Sequence, residues 1–201
     1  NSGGYNVIVG NQAGRNSVAG ADQVIIGHDA GYYATHNDVV IIGESAGYYA
    51  TGSYNTFVGK EAGKGGTTSA PYSSGQSNTA VGSQALEFFT TGGNNVAVGS
   101  NALFQDTTGQ YNVAVGAGAL FANTSGQALK AVTTGGANIA IGQQAGDTLT
   151  TGVNNIVIGN ASDVASNDRQ SNIILGSSLT ATNKHNAVFI GNGTNHIEND
   201  F

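Results

Sequence analysis

Short apolar triplets alternate with longer polar stretches along the chain, and the triplets return at a nearly fixed spacing. "NNVAVGSNAL" at Asn94–Leu103 comes back as "YNVAVGAGAL" at Tyr111–Leu120 and as "ANIAIGQQAG" at Ala137–Gly146. Aligned on the glycine that closes each triplet, eleven copies fall at Gly10, Gly27, Gly43, Gly59, Gly82, Gly99, Gly116, Gly142, Gly159, Gly176 and Gly191. The gaps are 17, 16, 16, 23, 17, 17, 26, 17, 17 and 15 residues. A modal period of 17 is the mark of a repeat protein, in which each unit buries its apolar face only against its neighbours. The two long gaps are insertions on an intact period, one near 64–75 holding Pro71 and one near 123–132. Residues 1–201 therefore read as a single repeat domain.

The residue before the glycine is large and aliphatic in all eleven copies, from Val9 and Ile26 to Leu175 and Ile190. Two positions earlier stands Val or Ile, with Thr56 and Thr79 as exceptions. In a strand these two columns point the same way, and they are expected to fill the core. The residue between them points the other way and is also apolar: Ala80, Ala97, Ala114 and Ala140 in the middle, Ile8, Ile25, Ile41 and Phe57 before them, Val157, Ile174 and Phe189 after. A strand apolar on both faces is buried on both, and one stack of coils has one interior. The central, alanine-lined column is therefore expected to meet another copy of the chain.

Asn precedes the strand in eight copies, among them Asn55, Asn78, Asn95 and Asn112. It tolerates left-handed backbone and bonds its own turn, and Asn side chains stacked in register can form amide ladders. Gly after the strand supplies a sharp corner, and Ala follows three residues later in eight copies. "TTG" at Thr90–Gly92, Thr107–Gly109, Thr133–Gly135 and Thr150–Gly152 reads as the return turn. Seventeen residues do not hold a helix as well, and helical periodicity is absent. The fold class is all-β: a parallel β-roll or β-solenoid of about eleven short rungs. At about 4.8 Å per rung the rod is roughly 50 Å long.

The motif N-x-V-A-V-G-x-x-A resembles the head repeat of trimeric autotransporter adhesins, over nearly the whole chain from Asn6 to about Gly191. That resemblance implies a left-handed β-roll with three chains side by side. The period of 17 is longer than that family's usual rung, and the extra residues lie in the "TTG" segment. The long rung "NNVAVGSNALFQDTTGQYNVAVG" is still more similar to repeats of bacteriophage tail fibres, many of which continue into a self-cleaving chaperone domain of the endosialidase type. The end at Phe201 fits release of such a domain and fits a truncation equally. The resemblance implies a non-enzymatic structural or adhesive segment of a homotrimeric tail fibre, located in the virion and supporting or forming a contact with a host-surface glycan or protein. The alternative is the head of a bacterial adhesin at the cell surface. A polysaccharide depolymerase and an ice-binding solenoid with stacked Thr are weaker readings.

Composition narrows the chemistry. The chain has no Cys, Met or Trp, one Pro, 32 Gly, 9% charged residues and a net charge of −6. The acidic balance excludes a basic stripe for nucleic acid, no apolar run is long enough for a membrane span, and thiolate metal sites are ruled out. No signal peptide is visible, so it has been removed or the chain is a fragment. His28, His36, His185 and His196 stand in no metal-ligand spacing, and neither metal nor cofactor is expected. Carboxylates are scattered; only Asp29, Glu44 and Glu61 fall on adjacent rungs, where a glycosidase pair would need one cleft. The candidate ligand-binding residues are aromatic. "GYYAT" at Gly31–Thr35 and again at Gly47–Thr51 puts Tyr32, Tyr33, Tyr48 and Tyr49 one rung apart, and the first insertion adds Tyr72. Rings on an outer ridge hold sugars by their flat faces; regular phase across rungs also serves packing, and Phe88, Phe89, Phe104 and Phe121 share it. Loops on a rigid scaffold are the other place for recognition.

Overall fold

Every apolar triplet forms a strand, and the strands lie one above another in the order in which they are written. The computed structural model describes residues 4–17, 20–35, 37–67, 69–121, 135–147, 149, 151–164, 170–181, 185–193 and 195–200. The insertion near 123–132 and His36 lie outside the described residues. The strands are β1 (Val7–Val9), β2 (Gln23–Ile26), β3 (Val39–Ile42), β4 (Thr56–Val58), β5 (Thr79–Val81), β6 (Val96–Val98), β7 (Val113–Val115), β8 (Ile139–Ile141), β9 (Ile156–Ile158), β10 (Asp163–Val164), β11 (Ile173–Ser177), β12 (Thr180–Ala181), β13 (Ala187–Asn192) and β14 (Asn195–Asp200). One sheet runs β1 to β9, then β11, β13 and β14. Its first eleven strands are parallel neighbours, and only β14 pairs antiparallel, on β13. β10 and β12 make a short parallel pair of their own. No helix occurs among the described residues. The molecule is a β-solenoid, and register follows the repeat: Ala80, Ala97, Ala114 and Ala140 sit opposite one another in successive rungs.

The two faces of the strand are the reverse of the expectation. The central column is the core: Ile25, Ile41, Phe57, Ala80, Ala97, Ala114, Ala140, Val157, Ile174 and Phe189 are at most 1% exposed. The flanking Val and Ile columns point outward, with Val98 at 36%, Ile141 at 40% and Ile190 at 49% exposure. The reason is volume. In the first four coils, where the central residue is Ile or Phe, the fourth residue past the corner is glycine; in the next three, where it is Ala, that position holds Leu, while beside Ala140 stands Gly146, with Leu120 and Leu149 next to it. Ile41 faces Gly47, on which a Cβ would stand 2.9 Å from the Ile41 Cδ1, and an added Cβ on Gly63 would collide with the Phe57 ring. Ala80, Ala97 and Ala114 instead share the interior with the buried Leu86, Leu103 and Leu120. These coils thus fill themselves from two positions whose sizes are complementary.

Corners carry the backbone chemistry. Gly99 has φ +131°, and a Cβ there would lie 2.5 Å from the Gly116 carbonyl oxygen of the next coil. Left-handed backbone also falls on the residue before the conserved-phase Asn, as at Asn94 and Tyr111, and on the second residue past the corner glycine, as at Gln84 and Asn101. The Asn residues themselves are not left-handed. Their side chains form the ladder that the repeat allowed. Asn95 Oδ1 accepts the Asn112 N–H at 2.9 Å, while its Nδ2 donates to the Gly109 carbonyl at 2.9 Å. The chain of such bonds runs from Asn55 through Asn78, Asn95, Asn112, Asn138 and Asn155 to Asn172. Each Asn satisfies backbone groups that the coil's turn would otherwise bury unpaired.

Candidate functional site

Five residues past the corner glycine, successive coils present Arg15, Tyr32, Tyr48, Lys64, Glu87, Phe104 and Phe121. Backbone bonds keep this edge in step: Asn16 N–H to the Tyr32 carbonyl at 2.8 Å, Tyr33 to Tyr48 at 3.0 Å, Tyr49 to Lys64 at 2.7 Å, and Phe88 to Phe104 at 3.1 Å. The result is one ridge along the rod: a tyrosine cluster, a charged cluster, then a phenylalanine stack.

All five tyrosines singled out from the sequence meet in the first part. Tyr32 stacks on Tyr48 with centroids 4.8 Å apart and planes at 11°. Tyr33 stacks on Tyr72 at 4.3 Å and lies near-parallel to Tyr49 at 5.8 Å. Arg15 covers the Tyr32 ring from the neighbouring coil at 5.8 Å. Tyr72 thereby pins the 64–75 insertion against two rungs. A hydrogen bond with the Tyr72 phenol, then burial, raises the Tyr33 phenol above its ordinary value. Burial and the neighbouring Tyr49 raise Tyr48. Both phenols stay neutral donors at physiological pH. The rings spend much of their faces on one another, so the cluster offers a ligand mainly edges and hydroxyls.

Beside it, Lys64 Nζ lies 2.8 Å from Glu61 Oε1 and 3.8 Å from Glu87 Oε1. Gln84 Nε2 donates to Glu87 Oε2 at 2.9 Å and to Glu61 Oε2 at 3.3 Å. Burial, reinforced by the Glu61 charge, raises the Glu87 carboxyl above its ordinary value. Burial pulls Lys64 down, and the Glu61 hydrogen bond with the two carboxylate charges outweighs it, so Lys64 is raised overall. Glu61 and Glu87 are the carboxylates that the fold brings together; the sequence hid this pair because they stand at different places in their rungs. Asp29, Glu44 and Glu61 each have their own partner: Asp29 faces His28 at 3.4 Å and Glu44 faces Lys60 at 3.4 Å. Beyond them, Phe104 meets Phe88 edge-on at 5.0 Å and stacks on Phe121 at 4.9 Å. Phe89, by contrast, is fully buried and packs on Phe57.

The described "TTG" threonines of the Thr90–Gly92 and Thr107–Gly109 turns do not form an outward flat ladder. Thr107 is buried, and the Thr90 hydroxyl donates to the Thr107 carbonyl at 2.9 Å. Among the described residues no three His, Asp or Glu side chains gather as a metal site, and no helix is long and apolar enough to cross a membrane.

No family model, no curated protein and no solved structure matches this chain. Its own surfaces are what bear on function. One of them is the outward column of Val and Ile from Val81 to Ile158, each partly exposed.

Proposed function

We propose that the chain is a non-enzymatic, rod-forming segment of a homotrimeric fibre of the bacteriophage tail-fibre kind, working on the virion or at a cell surface. Its tyrosine ridge supports or makes contact with a host-surface glycan or protein. The observation that carries this reading is the outward aliphatic face. Val81, Val98, Val115, Ile141 and Ile158, each 36–40% exposed, form an unbroken column on a sheet that is otherwise full inside. A contiguous apolar patch of this kind marks an association surface, and further copies in the same register match it column for column. Three rods side by side, each turning this face inward, leave the polar corners and the ridge in water.

Sedimentation of the purified chain tests the proposal. The expected mass is three times the 20.1 kDa of one chain. Val98→Asp with Ile141→Asp, both on the outward face, is expected to yield folded monomers. A wild-type chain that sediments as a monomer overturns the trimeric reading.

A further inference from the structure

The second residue past each corner glycine is a left-handed position that carries a side chain in most coils: Gln12, Asp29, Ser45, Glu61, Gln84, Asn101 and Gln144. In two coils it carries none, at Gly118 and at Gly193 in the last coil. Gly118 is preceded by Ala117 and stands between the corners Ser100–Asn101 and Gln143–Gln144. These three corners are consecutive: the Gly118 N–H bonds the Ser100 carbonyl at 2.8 Å, and the Gln144 N–H bonds the Ala117 carbonyl at 3.0 Å. A notch of about 280 Å³ lies between these corners. A Cβ on Gly118 would meet only ordinary contacts, the Gln144 Cγ at 3.6 Å and the Phe121 Cβ at 3.9 Å. The glycine is therefore not required by packing.

The walls of the notch have a particular chemistry. Asn101 stands on one side and Gln143 and Gln144 on the other, offering amide donors and acceptors. Half-buried Phe121 and the Asp147 carboxylate line the notch as well. No cation lines it. The same corner column elsewhere carries Glu44 and Lys60, whose side chains are each 56% exposed, so this edge of the rod lies in water.

We infer that the notch at Gly118 is a binding site for a neutral saccharide ring. Amides pair with vicinal hydroxyls as donor and acceptor, a carboxylate accepts two hydroxyl protons, and an aromatic side chain supports the apolar face of a sugar. The volume lies just under the roughly 300–1,000 Å³ of sites for drug-sized ligands, which suits one hexose with its waters. Asp147, the single charge among the described lining residues, disfavours an acidic sugar, a phosphate or a sulfate. The site is separate from the tyrosine cluster and depends neither on it nor on the trimer.

The test is saturation-transfer NMR on the full chain with methyl glycosides of glucose, galactose, mannose and N-acetylglucosamine, and with N-acetylneuraminic acid as the acidic comparator. At least one neutral glycoside is expected to bind in the millimolar range. Gly118→Gln obstructs the notch with a residue that Gln84 and Gln144 already place at similar backbone angles, +58° and +54° against +66° at Gly118, so the variant keeps the fold. It is expected to weaken binding at least tenfold, and Phe121→Ala to weaken it similarly, while Lys60→Ala, on the exposed corner edge outside the notch, leaves it unchanged. Binding of none of the neutral glycosides, equal binding by the Gly118→Gln variant, or preference for the acidic sugar overturns the inference.

Discussion

Single residues decide the interior of this rod in pairs. Ala97 and Leu103 occupy the volume that Ile41 and Gly47 divide differently three coils away. Ala97→Ile alone overfills the coil, at a cost of about 1–3 kcal/mol. Leu103→Gly alone empties it, at about 2–5 kcal/mol, less a left-handed backbone penalty that glycine relieves, since Leu103 sits at φ +51°. The double variant rebuilds the other solution and is expected to unfold in denaturant close to wild type. Additivity of the two losses sinks the pairing argument. Glu87 gives a second test at this scale. Its carboxyl binds its proton more tightly in the folded chain than in the unfolded one, so the folded state takes up protons first. Relative to a Glu87→Gln variant, wild-type stability is therefore expected to rise as pH falls through the window just above the ordinary value of 4.5 and to level off below it. A flat difference across that window rules this out.

Elements follow from the repeat, and their positions were legible in the letters. Triplet, corner glycine and Asn column predict the eleven parallel strands, their register and the amide ladder. The direction of the faces was not. All three positions of a rung such as Val96–Val98 are apolar, so alternation alone cannot tell inside from outside. The deciding signal lies six residues past the central one, where Leu103 answers Ala97 and Gly47 answers Ile41. The tyrosines were legible in the same partial way. "GYYAT" written one rung apart brings Tyr32 over Tyr48, but that Tyr72 would come in from an insertion to stack on Tyr33 depends on how the loop folds back. The ladder makes a prediction for the strands. Asn95→Ala removes the acceptor of the Asn112 N–H and the donor to the Gly109 carbonyl, both buried. At about 1–3 kcal/mol for each orphaned group, the loss is expected to be roughly 2–6 kcal/mol. Amide hydrogen exchange at Asn112 should accelerate most; unchanged protection there removes the ladder from the account.

For the whole molecule, stability is expected to be a sum over coils and their contacts. Excising the 17 residues Asn95–Tyr111 joins Asn94 to Asn112 and sets β5 against β7, with Ala80 opposite Ala114. That shortened chain is expected to fold, with the same far-ultraviolet dichroism per residue and a melting temperature only a few degrees lower. Excising the eight residues Asn95–Ala102 throws every later column out of phase and is expected to abolish cooperative unfolding. If the two deletions behave alike, the coils are not the units of the fold.

Interchangeable coils have a consequence beyond stability. A coil that fills itself from its own Ala–Leu or Ile–Gly pair asks little of the coils beside it. Slippage of the coding sequence by one period then inserts or removes a whole unit without forcing repair anywhere else. Length becomes a heritable dial, turned in clicks of about 4.8 Å, while the chemistry displayed along the sides is passed on unchanged.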